Sequence, residues 1–453
     1  MTTPSRNLPW LGRSRSGSSR GPAGSRGPAG SRGSGAASGV ASARISLGQV
    51  FTAESSNYFL LLGTTLFLVL LGLVMVLSSS SIDSFTQRQG FFGVFSKQGL
   101  FALIGIPLML VVSRLPIRFW KRWAWLAIFF AMGVQLLVFT PLGDEVGGNL
   151  NWIAIGGFTF QPSELVKLAL VVWMGAILAK KEALLGRLGH VIVPILPVAG
   201  GAILLVLLGG DLGTVMIMAG LVFGALFFAG IKLRMLAIPL IVGSVIAVVV
   251  AFSSESRTTR IMSFFSGTNA DYEGTDWQAQ HGEWALAGGG VFGVGLGNSR
   301  AKWSWLPAAD NDYIFAIIGE ELGLVGAIVV LLLFIVLAIA FVRIIRSTSD
   351  MFSKVVTGAV MVWLIGQAFV NIAVVLGVLP VLGVPLPLIS SGGSALLTTL
   401  AAIGVVLSIA RENALTAGAA AAVAREDAAA AAAAGSARTG RSARSGVPLV
   451  TRR

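Results

Sequence analysis

The sequence predicts an all-α fold, a polytopic integral membrane protein with about ten transmembrane helices. Of the 453 residues, 55% are hydrophobic and only 12% are charged, whereas soluble domains carry about 25% charged residues. Long apolar runs, such as Tyr58 to Leu77, have the length that crosses a bilayer. Basic residues recur in every second loop, which is the pattern of cytoplasmic loops in membrane proteins.

The apolar segments divide the membrane region into its predicted spans. The spans lie near 58–80, 93–114, 122–141, 163–180, 190–208, 211–230, 233–252, 312–342, 355–378 and 386–410. The basic loops carry Arg118, Lys121 and Arg122; Lys180, Lys181 and Arg187; Lys232 and Arg234; Arg343, Arg346 and Lys354; and Arg411. An even number of spans with this alternation predicts that both termini are cytoplasmic.

Two tails flank the membrane region, which we predict for 51–411. Residues 1–50 are rich in Gly, Ser, Arg and Pro and predict a disordered basic cytoplasmic tail, and residues 412–453 predict an Ala- and Arg-rich cytoplasmic tail. The net charge of +13 comes largely from these tails, so it indicates attraction to anionic lipid, not a nucleic-acid groove. The chain has no cysteine and two histidines, which excludes cysteine chemistry and multi-histidine metal sites.

One long loop, 253–311, is predicted to face the outside. Arg257 and Arg260 depart from the charge pattern of an outer loop, and two interpretations are open. They can belong to an interfacial helix that lies on lipid headgroups, or they can form an anion site for a lipid-linked phosphate.

Ionisable residues within the spans are costly and are usually paired or functional. Glu164 and Lys167 open the fourth span in "FQPSELVKLAL", where their spacing allows an ion pair. Asp211 in "GGDLGT" is a natural helix N-cap. Glu320 and Glu321 lie about 12 Å into the eighth span, so we expect at least one of them to face the bundle interior.

Asp312 opens the eighth span at the border between the outer loop and the bundle. It is the carboxylate that we select as a general base, with helix capping as the alternative role. The Pro- and Gly-rich run "GVLPVLGVPLPLISSGGS" predicts a broken or re-entrant segment before the tenth span, shielded from lipid. The predicted site is an outward-facing cavity that suits an amphiphilic substrate.

Six motifs in order resemble the SEDS family (shape, elongation, division and sporulation), over about 58–411. They are "FQPSELVKL", "DLGT", "FGVGLGNS", "DYIFAIIGEELGLVG", "QAFVNIAVVLGVLP" and "GVPLPLISSGGSALL". "GLGNS" and "IIGEELG" resemble the division branch, FtsW, more than the RodA branch. The basic tails resemble those of actinobacterial members. Several positions depart from the family pattern; among them, Asp310 stands where a histidine is common, and Leu382 where a lysine is common.

The resemblance implies a peptidoglycan glycosyltransferase that polymerises lipid II in the bacterial cell membrane, at the division septum. Asp312 matches the essential carboxylate of the family. The resemblance implies supporting, substrate-binding roles for Glu164, Lys167, Lys302 and Glu320. It also implies a class B penicillin-binding transpeptidase and other division proteins as partners.

The leaving group of such a reaction is undecaprenyl pyrophosphate, which needs positive charge. We expect that charge from Arg257, Arg260, Lys302 or a divalent cation, Mg²⁺ or Mn²⁺, and we predict no other cofactor. Two alternatives use the same cavity or surface: a flippase of the same lipid, and a non-catalytic scaffold for division proteins.

Overall fold

The structure is a computed structural model that describes residues 55–86, 90–146, 148–156, 158–252, 255–266, 277–303 and 306–442. The predicted N-terminal tail and the last eleven residues of the predicted C-terminal tail therefore lie outside the described residues.

Within these ranges the chain forms twelve α-helices and one small sheet. The helices are α1 Ser56–Thr86, α2 Gly93–Val112, α3 Ile117–Leu136, α4 Pro162–Lys180, α5 Leu188–Leu208, α6 Leu212–Phe228, α7 Leu233–Ala251, α8 Glu255–Ser266, α9 Trp277–Gly289, α10 Ile314–Arg346, α11 Met351–Val375 and α12 Gly393–Ser442. The strands are β1 Gly143–Val146, β2 Asn149–Ile155 and β3 Phe158–Phe160.

The fold is that of a multi-pass α-helical membrane protein, as predicted. In the described part of the chain, seven helices are long and apolar enough to cross a membrane: α1, α2, α3, α4, α10, α11 and α12. Two shorter apolar helices, Ile192–Leu208 and Leu212–Phe228, lie within α5 and α6, and α7 coincides with the predicted seventh span. The total of ten spans stays a prediction.

The most buried spans are α4, α11 and the apolar part of α12, and they form the centre of the bundle. Large side chains such as Trp173 on α4 and Trp363 on α11 are buried there. By contrast, α2, α3 and α10 leave most of their apolar surface uncovered within the chain. Such a surface is stable in contact with lipid or with another membrane helix.

The predicted outer loop 253–311 contains the helices α8 and α9. Beyond α9, the backbone of 290–295 packs against a break in α10 at Gly323, whose φ of 67° and ψ of −167° are not helical. The amides of Val294 and Gly295 donate to the carbonyls of Glu320 and Glu321, both at 3.0 Å, and the amide of Leu324 donates to Gly290 at 2.9 Å. These bonds satisfy backbone groups that a helix break would otherwise leave unpaired.

The loop between α3 and α4 forms a three-stranded antiparallel sheet in the order β1-β2-β3. This stretch lies between the predicted third and fourth spans, and no strand was predicted for it. Polar and apolar residues alternate in 149–152, which is the strand period, and Asn151 and Ile153 on one face of β2 are buried. The sheet carries Asn151 toward the first turn of α6, as described below.

Residues 376–392, here called the linking segment, join α11 to α12 without forming a helix. Leu386, Leu388 and Ile389 are buried, and Leu388 has a positive φ of 67°, which is rare outside glycine. The predicted broken segment is therefore confirmed, and α12 begins at Gly393, later than the predicted start of the span at 386.

The helix α12 continues past residue 411, where we predicted the tail to begin. The carboxylate of Glu412 accepts a hydrogen bond from the amide of Ile117 at 3.0 Å, and Asn413 donates to the hydroxyl of Thr348. Glu412 thereby satisfies a backbone donor at the start of α3. These contacts anchor the first turn of α12 beyond the bundle.

Candidate active site

Asp312 lies just before α10, on a turn with Asp310 and Asn311. The N-cap of α10 is Tyr313, and no side chain caps this helix end. The alternative that Asp312 serves as a helix cap is therefore wrong. The Oδ1 of Asp312 is buried and has no hydrogen-bond partner among the described residues.

The backbone of this turn is held by α11 and the linking segment. The carbonyl of Asp312 accepts a hydrogen bond from Nδ2 of Asn371 at 2.7 Å. The carbonyl of Asn311 accepts from Oγ of Ser390 at 2.6 Å, and that of Asp310 accepts from the amide of Ser391 at 2.8 Å. The position of Asp312 between the outer loop and the bundle was predicted from the sequence, but these hydrogen-bond partners were not.

Gly383 of the linking segment borders the other carboxylate oxygen of Asp312. Its φ of 67° suits glycine, and a Cβ at this position would lie 3.7 Å from Oδ2 of Asp312. The absence of a side chain at Gly383 leaves this side of the carboxylate uncovered.

The surroundings of Asp312 disfavour its charged form. Burial raises the pKa of Asp312 to about 7, and the negative charges of Asp211 and Asp310 add to the effect. Burial also raises the pKa of Asp310, against the opposing effect of a hydrogen bond with Ser391. A carboxylate with a pKa near 7 can accept a proton efficiently at neutral pH.

Asp211 is the N-cap of α6, as predicted, and its Oδ1 accepts from the amide of Thr214 at 2.9 Å. Its Oδ2 accepts from Nδ2 of Asn151 at 3.0 Å and from Nε2 of Gln161 at 2.9 Å. These three donors are neutral, so they stabilise the carboxylate without cancelling its charge. Asn151 and Gln161 were not among the predicted site residues, although the alternation of polar and apolar residues around Asn151 indicated a strand there.

Glu164 and Lys167 form the predicted ion pair, with 2.8 Å between Oε1 and Nζ, and both side chains are buried. The Nζ of Lys167 also donates to Oε1 of Gln367 at 3.3 Å and lies 4.9 Å from the centre of the Trp363 ring. The Nε2 of Gln367 donates to the carbonyl of Pro385 at 2.9 Å. The pair is thus connected to the linking segment that holds Asp312.

Lys302 and Glu321 form a second buried ion pair, at 3.2 Å. Both carboxylate oxygens of Glu321 also accept from Oγ of Ser78 on α1, at 2.7 and 2.6 Å. The Nζ of Lys302 donates to the carbonyl of Gly297 at 2.6 Å. The pair therefore ties the end of the outer loop to α10 and α1.

Glu320 faces the same loop and accepts hydrogen bonds from the amides of Arg300 at 2.9 Å and Ala301 at 3.3 Å, and from Oγ of Ser299. The expectation that at least one of the two adjacent acids faces the interior is confirmed, because both are buried. The described partners of Glu320 and Lys302 are protein groups. Their roles in substrate binding stay predictions.

Arg257 and Arg260 lie on α8, and their side chains are outside the part of the chain that the structure describes. Among the described residues, no group of three or more His, Asp or Glu side chains is arranged to hold a metal ion. The divalent cation remains an expectation that rests on the charge of the leaving group.

A multi-pass helical bundle that buries an incompletely paired carboxylate just before one span is typical of membrane-embedded proteins with chemistry at the bilayer surface. The model of a family of cell cycle proteins, FtsW/RodA/SpoVE, matches residues 58–415. This chain belongs to that family, as the motif resemblance predicted.

Curated relatives agree with this membership. A protein of Mycobacterium tuberculosis named "Probable peptidoglycan glycosyltransferase FtsW" is 37% identical over 375 residues, which are 83% of this chain and 71% of the relative. "Stage V sporulation protein E" of Bacillus subtilis is 34% identical over 361 residues, which are 80% of this chain and 98% of the relative.

Solved structures share the fold. A chain from a structure entitled "Structural coordination of polymerization and crosslinking by a peptidoglycan synthase complex" has a TM-score of 0.64 at 24% identity, covering 78% of this chain and 97% of that chain. The rod shape determining protein RodA of Thermus thermophilus has a TM-score of 0.59 at 24% identity, covering 80% and 99%.

Proposed function

We propose that this protein is a peptidoglycan glycosyltransferase that polymerises lipid II into glycan strands. The observation that carries the proposal is the carboxylate of Asp312, which is held at the outer end of α10 with an unpartnered oxygen among the described residues and a pKa near neutrality. The names of the FtsW relatives support the same reaction class.

In the proposed reaction, Asp312 takes the proton from the 4-hydroxyl of the acceptor N-acetylglucosamine. The hydroxyl oxygen attacks C1 of the donor N-acetylmuramic acid and inverts it from α to β. The bond from C1 to the pyrophosphate oxygen breaks, and undecaprenyl pyrophosphate leaves with the electron pair. This departure needs no general acid, in contrast to inverting glycosidases.

The depth of Asp312 supports a lipid-linked substrate. From its break at Gly323, α10 continues to Arg346, and at the helical rise this part is long enough to cross the hydrocarbon core of about 30 Å. With Arg343 at the inner boundary, the outer boundary falls near Gly323, about 20 residues away. Asp312 precedes the break at Gly323 in the chain, and we place it on the outer side of this boundary, where a lipid-linked sugar meets water.

The leaving pyrophosphate would be stabilised by positive charge. Lys302 is already paired with Glu321, so we assign this role first to Arg257 and Arg260 or to Mg²⁺ or Mn²⁺ that accompanies the pyrophosphate. The Glu164–Lys167 pair would support the site from within the bundle, through Gln367 and the linking segment.

We further propose that both termini are cytoplasmic, that the protein acts at the division septum, and that a class B penicillin-binding protein supplies the transpeptidase. The alternating basic loops support the orientation. The uncovered apolar surface of α10 offers one place where a partner helix can pack in the membrane.

The test is a glycan-chain gel with purified protein in liposomes, lipid II and the candidate transpeptidase. We expect glycan ladders that form in the presence of moenomycin, as the family resemblance implies. Rapid movement of lipid II between leaflets without polymer, where a family control polymerises, would support the flippase instead. If neither activity is detected although the protein still binds its partner, the scaffold alternative is favoured.

A further inference from the structure

Three consecutive carbonyls on the turn 310–312 accept hydrogen bonds from groups more than fifty residues away in the sequence. The donors are the amide of Ser391, the hydroxyl of Ser390 and the side-chain amide of Asn371. A peptide unit in this turn cannot rotate without breaking one of these bonds. The backbone that carries Asp312 is therefore fixed from outside its own helix.

Asn371 is the centre of this arrangement. Its side chain is 2% exposed, and its Nδ2 has two hydrogens: it donates to the carbonyl of Asp312 at 2.7 Å and to that of Val384 at 2.8 Å. Both donors are used, so a side chain without N–H donors at this position cannot hold the turn and the linking segment together.

Ser390 adds a second connection. Its hydroxyl donates to the carbonyl of Asn311 and accepts from the amide of Leu386 at 2.8 Å. Its own carbonyl accepts from Nε2 of Gln98 on α2 at 3.1 Å. Ser390 is thus held by α2 while it holds the turn.

The carboxylate itself has no comparable restraint, because Oδ1 of Asp312 has no hydrogen-bond partner among the described residues. Its position depends on the backbone that carries it. We propose that Asn371 and Ser390 are positioning residues, which place the base by holding the carbonyls of the turn 310–312. The proposal rests on the proposed function, and a misplacement of about 1 Å would lower the rate about 100-fold.

The experiment compares Asn371→Leu and Ser390→Ala with wild type in the lipid II polymerisation assay with the transpeptidase partner. We expect kcat to fall about 10- to 100-fold for Asn371→Leu and less for Ser390→Ala, with KM within about threefold of wild type. The pH at which activity reaches half its plateau should not move. Ser390→Thr keeps the hydroxyl and should recover most of the activity lost in Ser390→Ala.

Thr357→Val is the matched control on α11. Thr357 is buried like Asn371, but its hydroxyl has no hydrogen-bond partner in the described part of the chain. The substitution removes no hydrogen bond, so its activity should equal that of wild type and its melting temperature should not fall. Asp312→Asn is the second reference, since it tests the proposed function alone.

The two failures are distinguishable. If wild type makes no glycan, or Asp312→Asn makes as much as wild type, the proposed function fails. If Asp312→Asn is inactive while folded Asn371→Leu and Ser390→Ala both remain within twofold of wild type, the positioning role is overturned. Loss of the melting transition in either variant would assign that residue to folding and would also overturn its positioning role. A fall in kcat that Ser390→Thr does not recover would overturn the role of the Ser390 hydroxyl.

Discussion

At the scale of single residues, the side chain of Asp312 has fewer restraining hydrogen bonds than that of Asp211. It caps no helix, and its Oδ1 accepts no bond from the described residues. Asp211, by contrast, accepts three hydrogen bonds from neutral donors. The proposed base is therefore the less restrained carboxylate, whereas three hydrogen bonds hold the side chain of Asp211 in place.

The first prediction is that Asp312→Asn abolishes polymerisation while the protein stays folded and binds lipid II. Asparagine keeps the size but cannot accept the proton, and the loss of a general base costs about two to four orders of magnitude in rate. The measurement is the rate of glycan formation together with a melting curve.

Asp310→Asn is the control for this substitution, because it changes a neighbouring carboxylate on the same turn. We expect it to reduce activity no more than a few-fold. Full-length glycan strands from folded Asp312→Asn protein would contradict the assignment and would make Asp310 or Glu320 the next candidate.

The second prediction concerns pH. The base acts as a carboxylate, so kcat/KM should rise with pH and level off above the pKa of Asp312, about 7. The charge of Asp310 contributes to raising this pKa, so Asp310→Asn should move the rising limb to lower pH. A limb that stays near pH 4 in wild type would show that another group is the base.

Local pairs could be predicted from the sequence because their geometry is set within one helix. The spacing of Glu164 and Lys167 and the capping position of Asp211 required no knowledge of the fold, and both predictions are confirmed. Asn371 and Ser390 could not be assigned in this way, because their partners lie 59 and 79 positions away in the chain. Only the packing of α11 against the linking segment brings them together.

At the scale of elements, the spans were predictable from their apolar length, whereas the interruptions were predictable only in part. The Pro and Gly content of the linking segment indicated its irregular backbone. The break at Gly323 gave no comparable signal, because a single glycine is common in membrane helices. The break forms where 290–295 supplies replacement hydrogen bonds, and that contact is not visible in a local pattern.

The third prediction concerns the end of the outer loop, which makes this contact with α10. Lys302→Met should destabilise the protein by about 3–5 kcal/mol, because it leaves the buried charge of Glu321 without its partner. The double substitution Lys302→Met with Glu321→Leu should recover part of this loss. The measurement is the unfolding transition in detergent.

Ser78→Ala is the milder control, since it removes a hydrogen bond to the same carboxylate, Glu321, but leaves the ion pair with Lys302 intact. We expect it to cost about 1–3 kcal/mol. An equal stability of Lys302→Met and wild type would contradict the structural role of the pair and favour a role for Lys302 at the substrate.

At the scale of the whole molecule, the position of the site follows from the orientation of the bundle. The alternating basic loops predict that the basic ends of the spans lie at the cytoplasmic side and Asp312 at the outer side. On this predicted orientation, the proposed chemistry uses substrate from the outer leaflet. The same orientation predicts that the sheet that supports Asp211 also lies at the outer side, because it joins α3 to α4 between two basic loops.

The last prediction tests that orientation directly. The chain contains no cysteine, so single cysteines can be introduced without a background signal. A cysteine at Asn149 on β2 should react with a membrane-impermeant maleimide in intact cells, because this loop carries acidic and no basic residues. Cysteines at Arg187 and Ser349, which are exposed in loops of the basic side, should react only after the membrane is permeabilised. Labelling of Ser349→Cys in intact cells would reverse the topology, place Asp312 on the cytoplasmic side, and remove the basis for a reaction with outer-leaflet lipid II.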